Sequence, residues 1–207
     1  MEKKIVVTLG RQYGSGAREI GQMLAKRLEI NFYDKEILKL VSDTSGIEES
    51  YFHLADERPG QKLLYKVAKS QAPRLEKPTI SGRLLADDNL FLFQSEVIRG
   101  LAEAESCVIV GRCADYLLKD MENVVSIYVH APEDTRIARI MERYEMTRQE
   151  AEKAVNRVDK ERSDYYSYYT GRSWGDLNHY DLTFDSSRMN PEGAVELIVQ
   201  YLKARTI

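Results

Sequence analysis

The chain has 207 residues, 43% of them hydrophobic and 30% charged, the balance of an ordinary globular protein. Its length suits one domain with a real core, or a domain carrying small lids, and its composition excludes a disordered chain, a collagen-like repeat and a disulfide-stapled miniprotein. Thirty basic against 33 acidic side chains leave a net charge of −3, so no general attraction to nucleic acid is expected, although local basic clusters can still hold small anions.

The first predicted strand runs from Lys4 to Leu9. It follows the charged start Met1-Glu2-Lys3-Lys4, and its apolar run Ile5–Leu9 is too short for a signal-peptide core or a membrane span. After a glycine-rich stretch, Ile20, Leu24 and Leu28 fall on one helical face, with Ala17 and Gly21 beside them. A short apolar piece, Ile30 to Tyr33, meets Asp34, read as the N-cap of a helix carrying Ile37, Leu38 and Val41. Residues 45–88 are less regular, broken by Pro59-Gly60, Pro73 and Pro78. A helix follows from about Asn89 to Glu105, with Leu90, Val97, Ile98 and Leu101 as its buried stripe.

Cys107 to Val110 is a continuous apolar strand ending at Gly111-Arg112, and Val124 to Val129 is another. Cys107 and Cys113 lack CxxC spacing, and an extended run between them keeps them too far apart for a disulfide. A reduced, cytoplasmic protein is expected. Pro132 is placed at the first position of the next helix, followed by Glu133 and Asp134 near its positive end. Thr147-Arg148-Gln149-Glu150 is a capping box that starts a helix running to about Arg162. Leu182 to Asp185 reads as the last strand, and Asn190-Pro191-Glu192 caps a final helix. Continuous apolar strands alternating with helices predict a three-layer α/β domain around a parallel five-stranded sheet, with helical insertions.

Gly10-Arg11-Gln12-Tyr13-Gly14-Ser15-Gly16-Ala17-Arg18 lies directly between the first strand and first helix. Ligands of open α/β sheets sit at the carboxyl ends of strands, where a helix N-terminus offers free N–H groups to an anion. A P-loop needs Lys then Ser or Thr after its last glycine, whereas Gly16 is followed by Ala17, Arg18 and Glu19. The spacing Gly10-x-x-x-Gly14-x-Gly16 also fits a dinucleotide loop, with Asp34 as a ribose-binding acid and Tyr65-x-x-x-Lys69 imitating a dehydrogenase pair. That pair falls too early in the chain, before two or three of the expected strands. Arg112 closes a strand at the same sheet edge as the glycine loop, suited to a bidentate grip on phosphate. Arg136, Arg139 and Arg143 share one face of their helix, and Arg157 and Arg162 follow on the next. Tyr165, Tyr166, Tyr168, Tyr169, Trp174 and Tyr180 lie in a segment without helical periodicity, read as a loop that covers a substrate or meets a second copy in a homodimer.

Four blocks together resemble the cytidylate kinase-like family: Arg11-x-Tyr13-Gly14-Ser15-Gly16-x-x-x-Ile20-Gly21, Phe32-Tyr33-Asp34-Lys35-Glu36, Cys107 to Tyr116, and Asp159-Lys160-x-Arg162-x-x-Tyr165-Tyr166. The resemblance implies a P-loop kinase domain with its core at 1–44, 101–143 and 181–207, a nucleotide-monophosphate-binding insertion at about 45–100 and a lid at about 144–180. It implies ATP and Mg²⁺, with Arg11, Tyr13, Gly14, Ser15, Gly16, Ala17 and Arg18 around the ATP phosphates and Asp34, Arg112 and Asp115 facing an acceptor nucleotide. Arg18, Arg112, Arg157 and Arg162 are the implied catalytic cations; Arg136 and Arg139 match less well. Asp185 falls where the last strand ends near the base. No side-chain motif for a metal is present; Ser15 is the one loop hydroxyl placed to help hold Mg²⁺. Two other functions stay open at this point: a nucleotide-binding or sensing module that lost catalysis with the lysine, and a kinase of another small metabolite. Neither a nucleic acid nor a membrane is expected as a partner.

Overall fold

The computed structural model describes residues 4–45 and 87–205. Five strands, β1 (Val6–Arg11), β2 (Asn31–Tyr33), β3 (Cys107–Val110), β4 (Val124–His130) and β5 (Leu182–Asp185), form one sheet in the order β2-β3-β1-β4-β5. Every neighbouring pair is parallel, and Leu9 of β1 lies opposite both Val110 of β3 and Ile127 of β4. Between them run α1 (Ala17–Leu28), α2 (Glu36–Ser45), α3 (Asp87–Ala104), α4 (Ala114–Leu117), α5 (Glu133–Tyr144), α6 (Arg148–Thr170) and α7 (Pro191–Ala204). Most of the predicted 45–100 insertion, and the Tyr65/Lys69 pair, lie outside the described residues.

Alternate residues of the central strands feed two separate cores, as a period of two requires. Val7 and Leu9 join Val108, Val110, Ile127 and Val129 beneath Ile20 and Leu24 of α1 and Ile198 of α7. Val6, Cys107 and Ile109 face Ile37, Leu38 and Val41 of α2 and Leu90 and Ile98 of α3. The sheet is therefore buried on both faces, which is why its strands read as unbroken apolar runs. Helix α1 packs so near β1 that a Cβ on Gly21 would come 2.7 Å from Leu9 Cδ1. No helix of the described residues is long and apolar enough to cross a membrane.

Three local expectations are corrected. Asp34 does not cap α2 with its side chain; its carboxylate is drawn to Arg18 and Arg112 instead. Pro132 sits one residue before α5, at φ −53° and ψ 145°, rather than at its first helical position. Helix α6 does not stop near Arg162 but continues to Thr170, so Tyr165, Tyr166, Tyr168 and Tyr169 are helical, not loop. Tyr165 and Tyr166 are buried against Cys113, Phe91 and Trp174 of the same chain, and Phe91 stacks on Tyr169 at 3.9 Å. The Thr147/Glu150 capping box forms as expected, and the Asn190 side chain accepts the Gly193 N–H at the start of α7. Cys107 and Cys113 are both free and buried.

Candidate functional site

The strand order reverses direction at β1 and β3: from β1 the chain moves outward to β2, and from β3 it crosses over β1 to reach β4. The crevice above their carboxyl ends is where open α/β sheets bind ligands. The glycine loop leaves β1 into that crevice. Gly14 (φ 78°) and Gly16 (φ 81°) are left-handed, a conformation that favours glycine. Gly16 is the N-cap of α1 and no side chain caps it, so the first-turn N–H groups point their positive dipole end toward the crevice. A Cβ on Gly14 would meet the Arg136 carbonyl oxygen at 2.8 Å, which shows how closely the loop is pressed onto α5. Ser15 is 1% exposed, and its Oγ has no hydrogen-bond partner.

Two arginines of α5 hold this loop by its carbonyls. Arg139 Nη1 donates to Ser15 O at 3.1 Å and Ser186 Oγ at 3.1 Å, and Nη2 donates to Ser186 O at 3.0 Å. Ser186 Oγ in turn donates to Ser15 O at 2.6 Å. The loop is thereby stitched to the segment that follows β5. Arg136, 7% exposed, donates through Nε to Ala131 O at 3.0 Å and through Nη1 to Tyr13 O at 3.3 Å and Asp159 Oδ2 at 2.6 Å. Asp159 Oδ1 accepts the Tyr13 N–H at 2.7 Å. Burial pushes the Asp159 carboxyl up from its ordinary range, against the pull of the Tyr13 amide and Arg136. Pairing of both its oxygens offsets the cost of half-burying this carboxylate.

A second cluster forms where β2, β3 and α1 meet. Arg18 Nε donates to Asp34 Oδ2 at 2.6 Å, and Arg112 Nη1 approaches Asp34 Oδ1 at 3.4 Å. Glu36 Oε1 lies 3.9 Å from Arg18 Nη2, so two guanidiniums face two carboxylates, of which Asp34 is shared between them. Arg112 is 2% exposed and sits within three successive left-handed residues, Gly111 (φ 71°), Arg112 (φ 55°) and Cys113 (φ 56°). Strain of this kind costs on the order of 1–3 kcal/mol per non-glycine residue and gathers at ligand clamps. Asp115 Oδ2 accepts from Tyr166 Oη at 2.6 Å, and burial raises the pKa of both groups.

The two ends of the loop open onto two hollows of very different size. The larger, about 450 Å³, is walled by Gly14, Ser15 and Gly16 on one side and by Arg139, Arg143 and Met189 on the other. Arg11, Arg112, Asp115, Arg162 and Trp174 surround a hollow of about 20 Å³, room for one or two waters.

The structure thus brings together Arg11, Gly14, Ser15, Gly16, Arg18, Asp34, Arg112, Asp115 and Arg162. Ala17 opens α1 beside them, and Tyr13 is held on α6 and α5. Arg157 is not among them: its side chain is 56% exposed and pairs with Glu161 one helical turn on at 3.1 Å. Asp185 accepts the Ser187 N–H at 2.8 Å at the end of β5. Of the three α5 arginines expected on one face, Arg136 and Arg139 turn to the loop while Arg143 stays exposed. Asp159 stood in the sequence only as the first residue of the Asp159-Lys160-x-Arg162 block, with no role of its own, and Ser186 was not singled out at all. Only the place of Ser186, just after the last strand, could have pointed to it.

For Mg²⁺, the described residues hold no group of three or more metal-ligating His, Cys, Asp or Glu side chains. Mg²⁺ is ordinarily bound through substrate phosphates and water with only one or two protein oxygens. The partnerless Ser15 Oγ is the loop oxygen that fits such a minimal role.

A parallel β2-β3-β1-β4-β5 sheet covered on both faces, with a glycine loop leading from β1 into α1, defines a P-loop kinase-like α/β fold. The chain belongs to the cytidylate kinase-like family, whose sequence profile matches residues 6–188. A cytidylate kinase of Methanosarcina acetivorans is 31% identical over 194 residues, 93% of each chain. That of Methanosarcina barkeri is 27% identical over the same coverage. Among solved structures, an uncharacterized protein from Eubacterium ventriosum matches with a TM-score of 0.70 at 27% identity, covering 98% of this chain and all of that one. A shikimate kinase from Bacteroides thetaiotaomicron, 13% identical with a TM-score of 0.56 over 96% of this chain and 98% of its own, shares the fold.

Proposed function

We propose that this protein transfers the γ-phosphoryl group of ATP to a nucleoside monophosphate, with CMP or dCMP the favoured acceptor. The observation that carries this reading is the uncapped glycine loop. It stands between a 450 Å³ hollow and a cluster of arginines centred on the buried Arg112. The larger hollow falls within the roughly 300–1,000 Å³ of small-molecule sites, and its glycine wall suits a triphosphate. The 20 Å³ hollow beside Arg112 and Arg162 is sized for part of a phosphate group and not for a base. The relatives named cytidylate kinase support CMP as the acceptor.

In the transfer, an oxygen of the acceptor phosphate forms a bond to the γ-phosphorus as the bond to the β–γ bridging oxygen breaks. The acceptor is already ionised near neutral pH, so no side chain need remove a proton. Catalysis then rests on position and positive charge. The loop amides hold the donor phosphates, Arg112 and Arg162 face the acceptor phosphate, and Arg18, held by Asp34 and Glu36, stands in the first turn of α1 beside them. Mg²⁺, when bound, neutralises donor phosphate oxygens, with Ser15 as its one loop hydroxyl. Ala17 stands where a P-loop lysine would otherwise be, so the cations come from other elements.

A coupled ADP-release assay across CMP, dCMP, UMP and AMP tests the reading. Turnover is expected with CMP or dCMP foremost, and Arg18→Ala, at a 42% exposed side chain whose loss leaves no core cavity, should lower kcat by on the order of 10²–10³-fold. Tight ATP binding without turnover would instead mark a sensing module. ADP release with none of the four nucleotides, but with another phosphorylated or hydroxylated metabolite, would move the acceptor.

A further inference from the structure

Tyr13 is gripped at three points. Its N–H is bound by Asp159 at 2.7 Å, its carbonyl by Arg136 at 3.3 Å, and its ring lies 5.7 Å from the Arg162 guanidinium. All three partners come from the α5–α6 hairpin, more than a hundred residues further along the chain. The preceding position is held by β4 and the residue after it instead: Gln12 N–H donates to Val129 O at 3.1 Å, and Gln12 Oε1 accepts the Ala131 N–H at 3.1 Å; the following carbonyls, of Gly14 and Ser15, accept from Arg139 at 3.4 and 3.1 Å. A carboxylate beside an anion-binding loop would repel phosphate if it were unpaired. Asp159 escapes this because Arg136 neutralises it at 2.6 Å. Its second oxygen takes the Tyr13 amide and the Gln12 carbonyl takes that of Ser15 at 3.3 Å, which leaves the amides of Gly14, Gly16 and the first turn of α1 to face a ligand. Arg162, three residues beyond Asp159, lies on the same side of α6 and walls the smaller hollow.

We propose that Asp159 is a positioning residue that sets the glycine loop: it locks Tyr13 to α6 through one carboxylate spanning the Tyr13 amide and Arg136, and so holds Gly14–Gly16 in their phosphate-accepting shape. The proposal rests on the reading of that loop as a phosphate cradle. The same contact ties α6, which carries Arg162, to the loop facing the larger hollow.

The test uses the full chain, with hydrogen exchange of the Tyr13–Gly16 amides and calorimetric binding of a non-hydrolysable ATP analogue. Asp159→Ala removes both halves of the contact and should speed exchange at these amides and weaken analogue binding by roughly tenfold or more. Asp159→Asn keeps an oxygen for the Tyr13 amide but turns an N–H₂ donor toward Arg136, so it should fall between the two. Lys160→Ala, at a 75% exposed side chain on the same helix, should behave as the unaltered protein. If Asp159→Ala does not fold, Asp159→Leu combined with Arg136→Met keeps the packing without a lone buried charge and should show the same faster exchange. Unchanged loop exchange in these variants, or analogue binding equal to that of the unaltered protein, would overturn the proposal. If the unaltered protein binds no ATP analogue, the proposed function fails, and the exchange measurement still decides the role of Asp159.

Discussion

Gly14 and Gly16 share a left-handed backbone but not an environment, and the difference separates strain from contact. A Cβ on Gly16 would find only Arg139 Nη1, at 3.7 Å, whereas one on Gly14 would strike the Arg136 carbonyl at 2.8 Å. Gly16→Ala therefore meets mainly the roughly 1–2 kcal/mol of a left-handed L-residue. Gly14→Ala adds a clash with backbone that cannot rotate away, and the loop must lift from α5. Thermal unfolding should show Gly14→Ala as clearly the less stable of the two, with nucleotide binding lost as well; equal midpoints would mean the loop does not rest on Arg136. At this scale the sequence was informative about glycines, because their position after a strand restricts what they can do. It placed Arg18 at the loop but was silent about its partner, Asp34, which is sixteen residues away and becomes a neighbour only when β2 docks on β3. Cys107 is equally a product of tertiary structure: burial, with Glu105 nearby, pushes its thiol up to about 12. A raised value favours the protonated form in the fold. Its contribution to stability is present below the ordinary thiol range and fades as pH rises through about 12.

Helix α6 is held at its start by local chemistry and at its end by packing. The Thr147 hydroxyl accepts the Glu150 N–H, and the Glu150 carboxylate accepts the Thr147 N–H at 2.9 Å. Thr147→Ala should cost about 1 kcal/mol in chemical denaturation, the usual loss for an N-cap hydroxyl. These bonds from Thr147 hold the Glu150 carboxyl below its ordinary range. A lowered value means the contribution is present above the ordinary glutamate range and lost as pH falls through the lowered one, so the gap between Thr147→Ala and the unaltered protein should narrow in acid. A gap independent of pH would mean the carboxylate takes no part in the cap. This start was legible because a capping box is a four-residue signal. The end was not, because tyrosines carry both an apolar ring and a hydroxyl and blur a periodicity sought in aliphatic residues. Tyr165, Tyr166 and Tyr169 point inward toward Phe91, Cys113 and Trp174, while Tyr168 remains 62% exposed.

Across the whole molecule, unbroken apolar strands separated by amphipathic helices were enough to anticipate a covered parallel sheet. They could not order its strands. That order places β1 between β3 and β4, and so lets the loop after β1 meet Arg112 from β3 on one side and Arg136 and Arg139, carried on the helix after β4, on the other. A chain without a lysine in its glycine loop thereby gathers arginines around it from two other elements, and no single sequence window contains the pattern. A crystal structure with a non-hydrolysable ATP analogue and CMP tests this most directly. The β- and γ-phosphates should lie on the amides of Gly14, Gly16, Ala17 and Arg18 with the ATP base in the hollow between Arg139 and Met189, and the CMP phosphate should face Arg112 and Arg162; phosphates bound elsewhere, touching none of those amides, would contradict the account.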